Sequence, residues 1–517
     1  MATWYVRPVS AEYGAEDGTT YETAFDGFAD ITWGAGGVVA GDTLYVCGTH
    51  TEQMTVGASG VSGSPIIIRG DYTGDAGIIS GADSIGTWTQ VGVTNVYQAA
   101  CNWTAGVLIE DGTLRKFKTW NTDIATTNLA VEEWTLDTTG DLVYVWCSDG
   151  LDPDTHTMQI GVRDYGILAT ALDYITISNL QVEGANVYAI NLSGDCDNDI
   201  IQSCTIQNSY CGIGAVGTTQ SNISILSNTI HDTYTYGILV YQDGTGFTVS
   251  GNTIYNVKWR GDGTEASGMY FDADSSTIAS NVIHDCGFTA YAEHGIYVGG
   301  SDSVVVRYNK LYSNFAHGLK FSTVTNSSVY YNLCYSNGVA GIQLEGSSET
   351  NSIYNNVIYG NTEEGIWINS ASVDATTIKN NIISGNLGGS GGQQIFIANG
   401  ATNTVSDYNL IYYSGATDLI NYQGAGHTWV AWQAHGFDTH SINADPIFVD
   451  SSSGDYRLSN TSPAINAGVS VGLSEDYEGN TVIGVPDIGA YDEAPAISRQ
   501  RKRHHVSRHH VRKHHYR

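Results

Sequence analysis

The sequence has few basic residues and no long apolar run. Only 21 of its 517 residues are Lys or Arg against 53 Asp and Glu, and the last 20 residues hold 8 of those 21. Residues 1–497 therefore keep 13 basic for 53 acidic side chains, a net charge near −40. Such a charge repels nucleic acid and argues against a DNA-reading function. No stretch approaches the roughly 18 apolar residues that span a bilayer, so we predict no membrane span.

Proline and cysteine are also sparse. Seven Pro beside 61 Gly and 33 Tyr suit tight turns and aromatic surfaces rather than a disordered chain. The eight Cys form no CxxC pair, so we expect small buried residues rather than disulfides or metal ligands. Residues 1–8 show no secretory signal. We therefore expect an extracellular protein trimmed of its signal, or a protein carried in a virus particle.

A repeat of 23 to 29 residues organises residues 175–411. Its first mark is an Asn between apolar residues, at Asn179, Asn228, Asn252, Asn281, Asn309, Asn332, Asn356, Asn381 and Asn409, with Cys204 in the second slot. Its second mark is Gly before an aliphatic residue, at Gly212, Gly237, Gly268, Gly295, Gly318, Gly341 and Gly365. Short alternating apolar runs without a 3.6-residue period indicate strands, and recurring Asn suits a left-handed bend. We predict an all-β fold, a right-handed parallel β-helix solenoid of about ten or more coils with both ends capped.

Five regions follow from this pattern. Residues 1–60 are the N-terminal cap and first strand, and 61–170 are early coils with a β insertion. Residues 171–412 are the regular repeats, and 413–497 are a C-terminal cap with a short helix at 428–435. Residues 498–517 form a disordered basic tail with His pairs at His504, His509 and His514, either solvated or docked on an anionic partner.

Several phrases resemble the closing and opening segments of secreted and phage-encoded, pectate-lyase-like right-handed parallel β-helix proteins. The closing phrases lie at 443–449, 454–458, 462–468 and 486–491, and the opening phrase is Gly41-Asp-Thr-Leu-Tyr-Val46. The resemblance covers nearly the whole chain to about 493. It implies the fold and a polysaccharide partner, but that family contains lyases, epimerases, hydrolases, tailspikes and adhesins. Related lyases bind calcium with carboxylates, so the resemblance leaves calcium as a possible cofactor of this protein. The resemblance to tailspikes likewise leaves a homotrimer as an alternative.

The candidate site follows from positions that repeat on successive coils. One outward slot holds Tyr270, Tyr297, Lys320, Gln343 and Trp367; Asp272 lies two residues beyond Tyr270, and His294 and His317 precede their repeat Gly. Two adjacent coils carry longer loops before this strand, which we expect to wall a groove with Lys258, Trp259, Arg260, Glu265 and Glu293.

Aromatic rings beside a cation suit an anionic sugar. We therefore predict a polysaccharide lyase that eliminates across a uronate. Lys320 or His317 is the base, with His294 beside it, Tyr270 or Tyr297 is the acid, and Arg260 or Lys258 holds the carboxylate. Two alternatives stay open: a glycan-binding or tailspike-like virion protein without catalysis, and a glycoside hydrolase that uses Glu265 and Glu293.

Overall fold

The structure is a computed structural model that describes residues 1–9, 13–92, 94–118, 129–258, 266–288, 293–388 and 392–492. Trp259, Arg260, Glu265 and the basic tail at 498–517 lie outside the described residues. No helix among the described residues is long and apolar enough to cross a membrane.

Three long sheets, here called A, B and C in the order in which each coil visits them, form a parallel solenoid. Within the described residues sheet A has 14 strands, at Thr3–Arg7, Phe25–Asp26, Thr43–Val46, Ile66–Arg69, Ile175–Ser178, Ile200–Gln202, Ser224–Leu226, Thr248–Ser250, Thr277–Ala279, Val305–Arg307, Ser328–Tyr330, Ser352–Tyr354, Thr377–Lys379 and Val405–Asp407. Sheet B has 12 in the same described ranges, at Thr49–His50, Ile78–Ser80, Gln181–Glu183, Thr205–Gln207, Thr229–Thr233, Thr253–Val257, Val282–His284, Lys310–Tyr312, Leu333–Tyr335, Val357–Tyr359, Ile382–Ser384 and Leu410–Tyr412. Sheet C has 13 there, at Met54–Thr55, Tyr165–Thr170, Tyr188–Ser193, Cys211–Val216, Tyr236–Thr245, Ser267–Asp274, Ile296–Gly299, Leu319–Ser322, Ile342–Glu345, Ile366–Ile368, Ile395–Ile397, Ile420–Tyr422 and Ala425–His427.

The predicted right-handed parallel β-helix is confirmed. Alternate residues of each strand point inward, as at Ile296 and Val298, and form one continuous apolar core. All eight cysteines are free and buried, as expected from their scatter. The solenoid extends before residue 175, where the sequence shows no regular repeat, because Ile66–Arg69 pairs directly with Ile175–Ser178.

Buried asparagine amides hold the coils in register between sheets A and B. The Asn309 side chain donates to the Ile278 carbonyl (3.0 Å) and to Asn332 Oδ1 (3.0 Å). Its own Oδ1 accepts from the Asn281 backbone N–H (2.9 Å) and side-chain amide (3.0 Å). The same bonds recur along the row, so these amides satisfy one another where water cannot reach.

The expected reason for this Asn slot is wrong. The left-handed residue is the one before it, as at Ser280 (φ 56°) and Tyr308 (φ 57°), and Asn is required for its amide instead. Asn179 itself is left-handed (φ 54°) and lies one position off the row, which begins at Leu180 beside Cys204. The sequence pattern therefore located the turn but misaligned its first member.

A second row of amides lies on the other side of sheet B. Its members Asn314, Asn337, Asn361, Asn386 and Gln394 are bonded in series by side-chain amide contacts of 2.8 to 3.1 Å. The first four stand five residues after members of the first row. That spacing is visible in the sequence, although the predicted repeat does not include it.

Two mainly antiparallel regions pack on this scaffold outside the three sheets, and in the first of them Lys116–Phe117 pairs parallel with Glu133–Asp137. Residues 82–161 form a four-stranded and a five-stranded sheet, with strands Ala82–Ser84, Thr89–Gln90, Tyr97–Ala100, Leu108–Glu110, Thr113–Leu114, Lys116–Phe117, Glu133–Asp137, Leu142–Val145 and Met158–Gly161. The helix Trp429–Ala434 buries Trp432 in the solenoid core. The hairpin Phe448–Asp450 and Asp455–Leu458 and the residues after it fold back over the outer side of sheet B. Short 3-10 turns lie at Phe28–Asp30, Pro153–Thr155 and Ser451–Ser453.

We predict that Asn309→Ala lowers the free energy of unfolding by about 3 kcal/mol, because it leaves several buried backbone and amide groups unpaired. Thermal and denaturant unfolding measure the loss. Asn460→Ala, on the exposed surface, is the matched control and should change stability by less than about 0.5 kcal/mol. Equal effects of the two changes would contradict the role given to the amide row.

Candidate functional site

The outer face of sheet C carries the row of side chains that the repeat predicts. Strand register places Leu239, Tyr270, Tyr297, Lys320, Gln343 and Trp367 opposite one another on successive coils. Neighbours in such a row stand about 4.8 Å apart, so the row from Leu239 to Trp367 is about 24 Å long. A linear polymer could lie along it.

Tyrosines line a groove at one end of this row. The groove has a volume of about 390 Å³, and its lining includes Tyr188, Tyr236, Tyr241 and Tyr270. Tyr270 lies at its centre, with ring centroids 5.9 Å from Tyr236 and 6.0 Å from Tyr241. Tyr241 is 44% exposed, so part of its ring is open to solvent. Of these four only Tyr270 was among the predicted site residues.

A β-bulge shapes the rim of the groove. The register between Tyr236–Thr245 and Ser267–Asp274 changes between Val240 and Gly244. The bulge there holds Gln242 (φ 82°) and Asp243 (φ 54°) in the left-handed region. Backbone strain of this kind and bulges are both common beside functional sites. Asp272 lies opposite the bulge, where burial, then the nearby Asp243 and then Asp274, raise the pKa of its carboxyl.

Lys320 lies in the middle of the row and is engaged on both sides. Its ammonium makes an ion pair with Glu345 (2.9 Å) and lies 5.1 Å from the centroid of the Tyr297 ring. Tyr297 in turn packs edge-to-face on Tyr270, with centroids 5.0 Å apart. Asp272 and Glu345 lie three coils apart, which is about 14 Å and too far for one pair of catalytic carboxyls.

The two histidines lie beneath this face rather than on it. His294 and His317 are each 1% exposed, with stacked rings 5.0 Å apart. Each Nδ1 accepts a backbone N–H of the next coil, from His317 to His294 (3.4 Å) and from Ala340 to His317 (3.1 Å). Burial, with a smaller effect of Lys320, lowers the pKa of His317 to about 3, so the ring is neutral at physiological pH. Burial also lowers the pKa of His294. In this conformation both rings are buried, and the Nδ1 atom of each is engaged by a backbone N–H group. Their predicted catalytic roles stay predictions.

Two of the predicted groove-wall residues, Lys258 and Glu293, are described by the structure, and each bonds to another residue of the protein. Glu293 is buried and its carboxylate accepts the Phe288 backbone N–H. Lys258 makes an ion pair with Asp232 (3.1 Å). Arg260, Trp259 and Glu265 lie outside the described residues, so their predicted roles stay predictions.

Two groups of side chains within the described ranges could hold a cation, and neither lies on sheet C. Glu16, Asp26 and Asp30 stand near the N-terminus, and Glu110, Cys147 and His156 in the antiparallel region. Glu110 is already occupied by Arg115 (3.0 Å) and Ser148 (2.7 Å). The calcium left open from the sequence stays a prediction.

The family model described as "Right handed beta helix region" matches residues 165–323, 214–376 and 267–435, which together exceed half of the chain. The chain belongs to this right-handed β-helix family. The curated relative "Uncharacterized protein YwoF" of Bacillus subtilis (strain 168) is 27% identical over 259 residues, 42% of this chain and 53% of YwoF. The chain thus spans about half the length of the curated relative it matches.

Two solved structures share the β-helix fold over most of their length. The complex of XylC with xylose has a TM-score of 0.65 at 14% identity and covers 95% of this chain and 98% of its own. A structure described as "Glycoside hydrolase" has a TM-score of 0.53 at 10% identity and covers 78% and 96%. At these identities the likeness shows the fold alone.

The predicted site residues also leave out Glu364, in addition to Tyr188, Tyr236 and Tyr241 of the groove. Glu364 stands one residue before the repeat Gly365, is 8% exposed, and has a pKa that burial raises to about 7. Its neighbour along the strand, Trp367, packs on Ala316, Val339 and Ala340. The sequence repeat predicts where Glu364 lies, one residue before Gly365, but it does not predict that this carboxyl is buried.

We predict that Glu364→Gln changes how the melting temperature depends on pH. A carboxyl whose folded pKa is near 7 and whose unfolded pKa is near its usual value destabilises the fold as pH rises between those values. The isosteric Gln cannot ionise, so the variant should lose less stability than the parent between pH 5 and pH 8. Thermal melts across that range measure it. Parallel pH profiles for the two proteins would contradict a raised carboxyl pKa.

Proposed function

We propose that this chain binds polysaccharide along the outer face of sheet C, outside the cell that makes it. The observation that carries the proposal is the groove lined by Tyr188, Tyr236, Tyr241 and Tyr270. Sugar rings present C–H faces that stack on aromatic planes while their hydroxyls find polar groups, and concave aromatic sites are typical of ligand binding. Acidic side chains outnumber basic ones, so the protein repels anionic polymers in general. An uncharged polymer, or one whose charge a nearby cation neutralises, therefore suits the face best.

The solved neighbours give this proposal independent support. One was solved with xylose and the other is described as a glycoside hydrolase, so β-helices of this architecture do handle carbohydrate. Because the fold is shared at low identity, the neighbours support the ligand class and assign no residue of this chain a role.

Replacing the exposed ring of the groove tests the proposal. We predict that Tyr241→Ala weakens binding to the preferred polysaccharide at least tenfold, whereas Tyr241→Phe keeps most of it, because stacking needs the ring and not the hydroxyl. Affinity electrophoresis on a panel of neutral and uronate polysaccharides measures this. Tyr354→Ala, on sheet A, is the matched control. Binding that survives Tyr241→Ala would move the site away from the groove.

A second candidate function is β-elimination at Lys320. Lys320 lies beside Tyr297, and a neutral lysine amine can abstract a proton while a phenol can donate one. The Glu345 carboxylate engages the Lys320 ammonium, which has no free lone pair, so Lys320 can act as a base only after that ion pair opens and the ammonium loses its proton. As an ammonium it can instead neutralise a sugar carboxylate. For the hydrolase alternative, the Glu293 carboxylate is buried and accepts the Phe288 backbone N–H, so it would have to leave this position to reach a substrate.

A lyase assay separates these activities from binding alone. If elimination occurs, mixing with uronate polysaccharides should generate the ultraviolet absorbance of an unsaturated sugar, and Lys320→Ala should abolish it by removing the charge beside Tyr297. Lys379→Ala, on sheet A, is the matched cation control. Polysaccharide binding without absorbance or new reducing ends would instead favour the non-catalytic, tailspike-like alternative, for which trimers in solution would be a further mark.

A further inference from the structure

Three neighbouring polar side chains on the outer side of sheet C have atoms without a hydrogen-bond partner among the described residues. These are Gln343 Oε1, Glu364 Oε2 and the Trp367 indole nitrogen Nε1. Gln343 is only 3% exposed and Glu364 only 8%. We call these three residues the polar corner.

The fold places the polar corner on two adjacent coils. Gln343 and Trp367 are register partners on neighbouring strands, and Glu364 lies three residues before Trp367. The Gly341 N–H donates to the Glu364 carbonyl (3.1 Å), which sets Glu364 beside Ala340. The Trp367 ring rests on Ala340 and meets the His317 ring edge-to-face at 5.8 Å. The register therefore places the three residues on two adjacent coils, with Gln343 directly beside Lys320 in the row.

Unpaired buried polar atoms are unusual. In folded proteins nearly all such groups have a partner, because leaving a donor or acceptor without one in a poorly hydrated place destabilises the fold. The buried amides of the two Asn rows, by contrast, pair with one another, as between Asn309 and Asn332. Fourteen side-chain atoms of the described residues are buried without a hydrogen-bond partner, and three of them belong to these two adjacent coils next to Lys320. A ligand on this part of the row could supply the partners that the three atoms lack.

The chemistry of the corner selects the ligand. Gln343 Oε1 can only accept a hydrogen bond and Trp367 Nε1 can only donate one, so the complement carries both a donor and an acceptor. A sugar hydroxyl is both. A sugar carboxylate is an acceptor alone, and it would lie beside the carboxyls of Glu364 and Glu345 with Lys320 already paired to Glu345. The corner therefore favours a unit without a carboxylate.

We propose that Gln343, Glu364 and Trp367 form a subsite for one uncharged, hydroxyl-bearing sugar unit of the bound polymer. The subsite lies on the same row as the tyrosine groove, four coils along from Leu239 at Gln343 and five at Trp367. A chain that stacks on Tyr241 and Tyr270 can thus extend past Lys320 to this corner. The inference rests on the proposed glycan binding and is independent of elimination. Glu364, which is protonated or readily protonated at neutral pH, can donate a hydrogen bond to that unit.

Apolar near-isosteres test the subsite. We expect Trp367→Phe and Gln343→Met each to weaken binding of neutral oligosaccharides (xylan, glucan and mannan fragments) about tenfold, the equivalent of ~1.4 kcal/mol. Gln343→Met removes an unpaired polar atom at nearly constant volume, so the melting temperature of the free protein should stay the same or rise. Trp367→Phe also removes ring area that packs on Ala340, so it should melt lower, and its selective loss of neutral oligosaccharide binding is what tests the subsite. Calorimetric titration and thermal melts on the whole chain measure both. A residue that serves packing alone would lose stability without this selective loss of binding.

The outcomes separate this inference from the function on which it rests. If Tyr241→Ala weakens binding while both corner variants bind like the parent, the subsite is wrong and the groove stands. If the corner variants melt lower and bind every oligosaccharide equally less well, they are packing residues and the subsite is wrong. If oligouronates bind more tightly than neutral fragments and the corner variants affect both alike, the uncharged class is wrong. If neither class binds the parent, glycan binding itself fails and the subsite fails with it.

Discussion

The architecture depends on the amide-to-amide hydrogen bond between successive coils. In each Asn row one oxygen accepts two N–H groups of the preceding coil while the nitrogen donates to the next amide and to a backbone carbonyl, as at Asn309. A slip of one residue would break every such bond, because the inward and outward positions of the strands would exchange. The two rows on either side of sheet B therefore fix the register from which the outer rows of sheets A and C follow.

That fixed register makes the candidate face predictable in part. The Gly slot alone places Tyr270, Tyr297, Lys320, Gln343 and Trp367 on one row, and the strand pairs show that row. The period also predicts a left-handed bend, although it assigns the bend to Asn rather than to the residue before it. Local periodicity carries this information because each coil repeats the same backbone path.

The sequence period does not predict how deeply a side chain is buried. His294 and His317 occupy slots that also hold Tyr236 and Glu364, and only the packing of neighbouring coils decides that both rings are buried and neutral. The bulge at Gln242 and Asp243, and the turn of Tyr241 toward Tyr270, depend on two extra residues in one strand. The coils before residue 175 show no regular repeat in the sequence, because the antiparallel region is inserted between strands that pair with each other in the structure.

The rigid scaffold also explains how the face can hold unpaired polar atoms. A marginally stable domain would reorganise to pair Gln343 Oε1 or the Trp367 indole, but here strand register and the Ala340 contact hold both side chains in place. Functional sites commonly keep groups that the free protein leaves unsatisfied, and the surrounding structure compensates. In this solenoid the amide rows satisfy their own buried polar groups and hold the coils in register, and the stability they supply can offset the cost of unpaired atoms such as Gln343 Oε1.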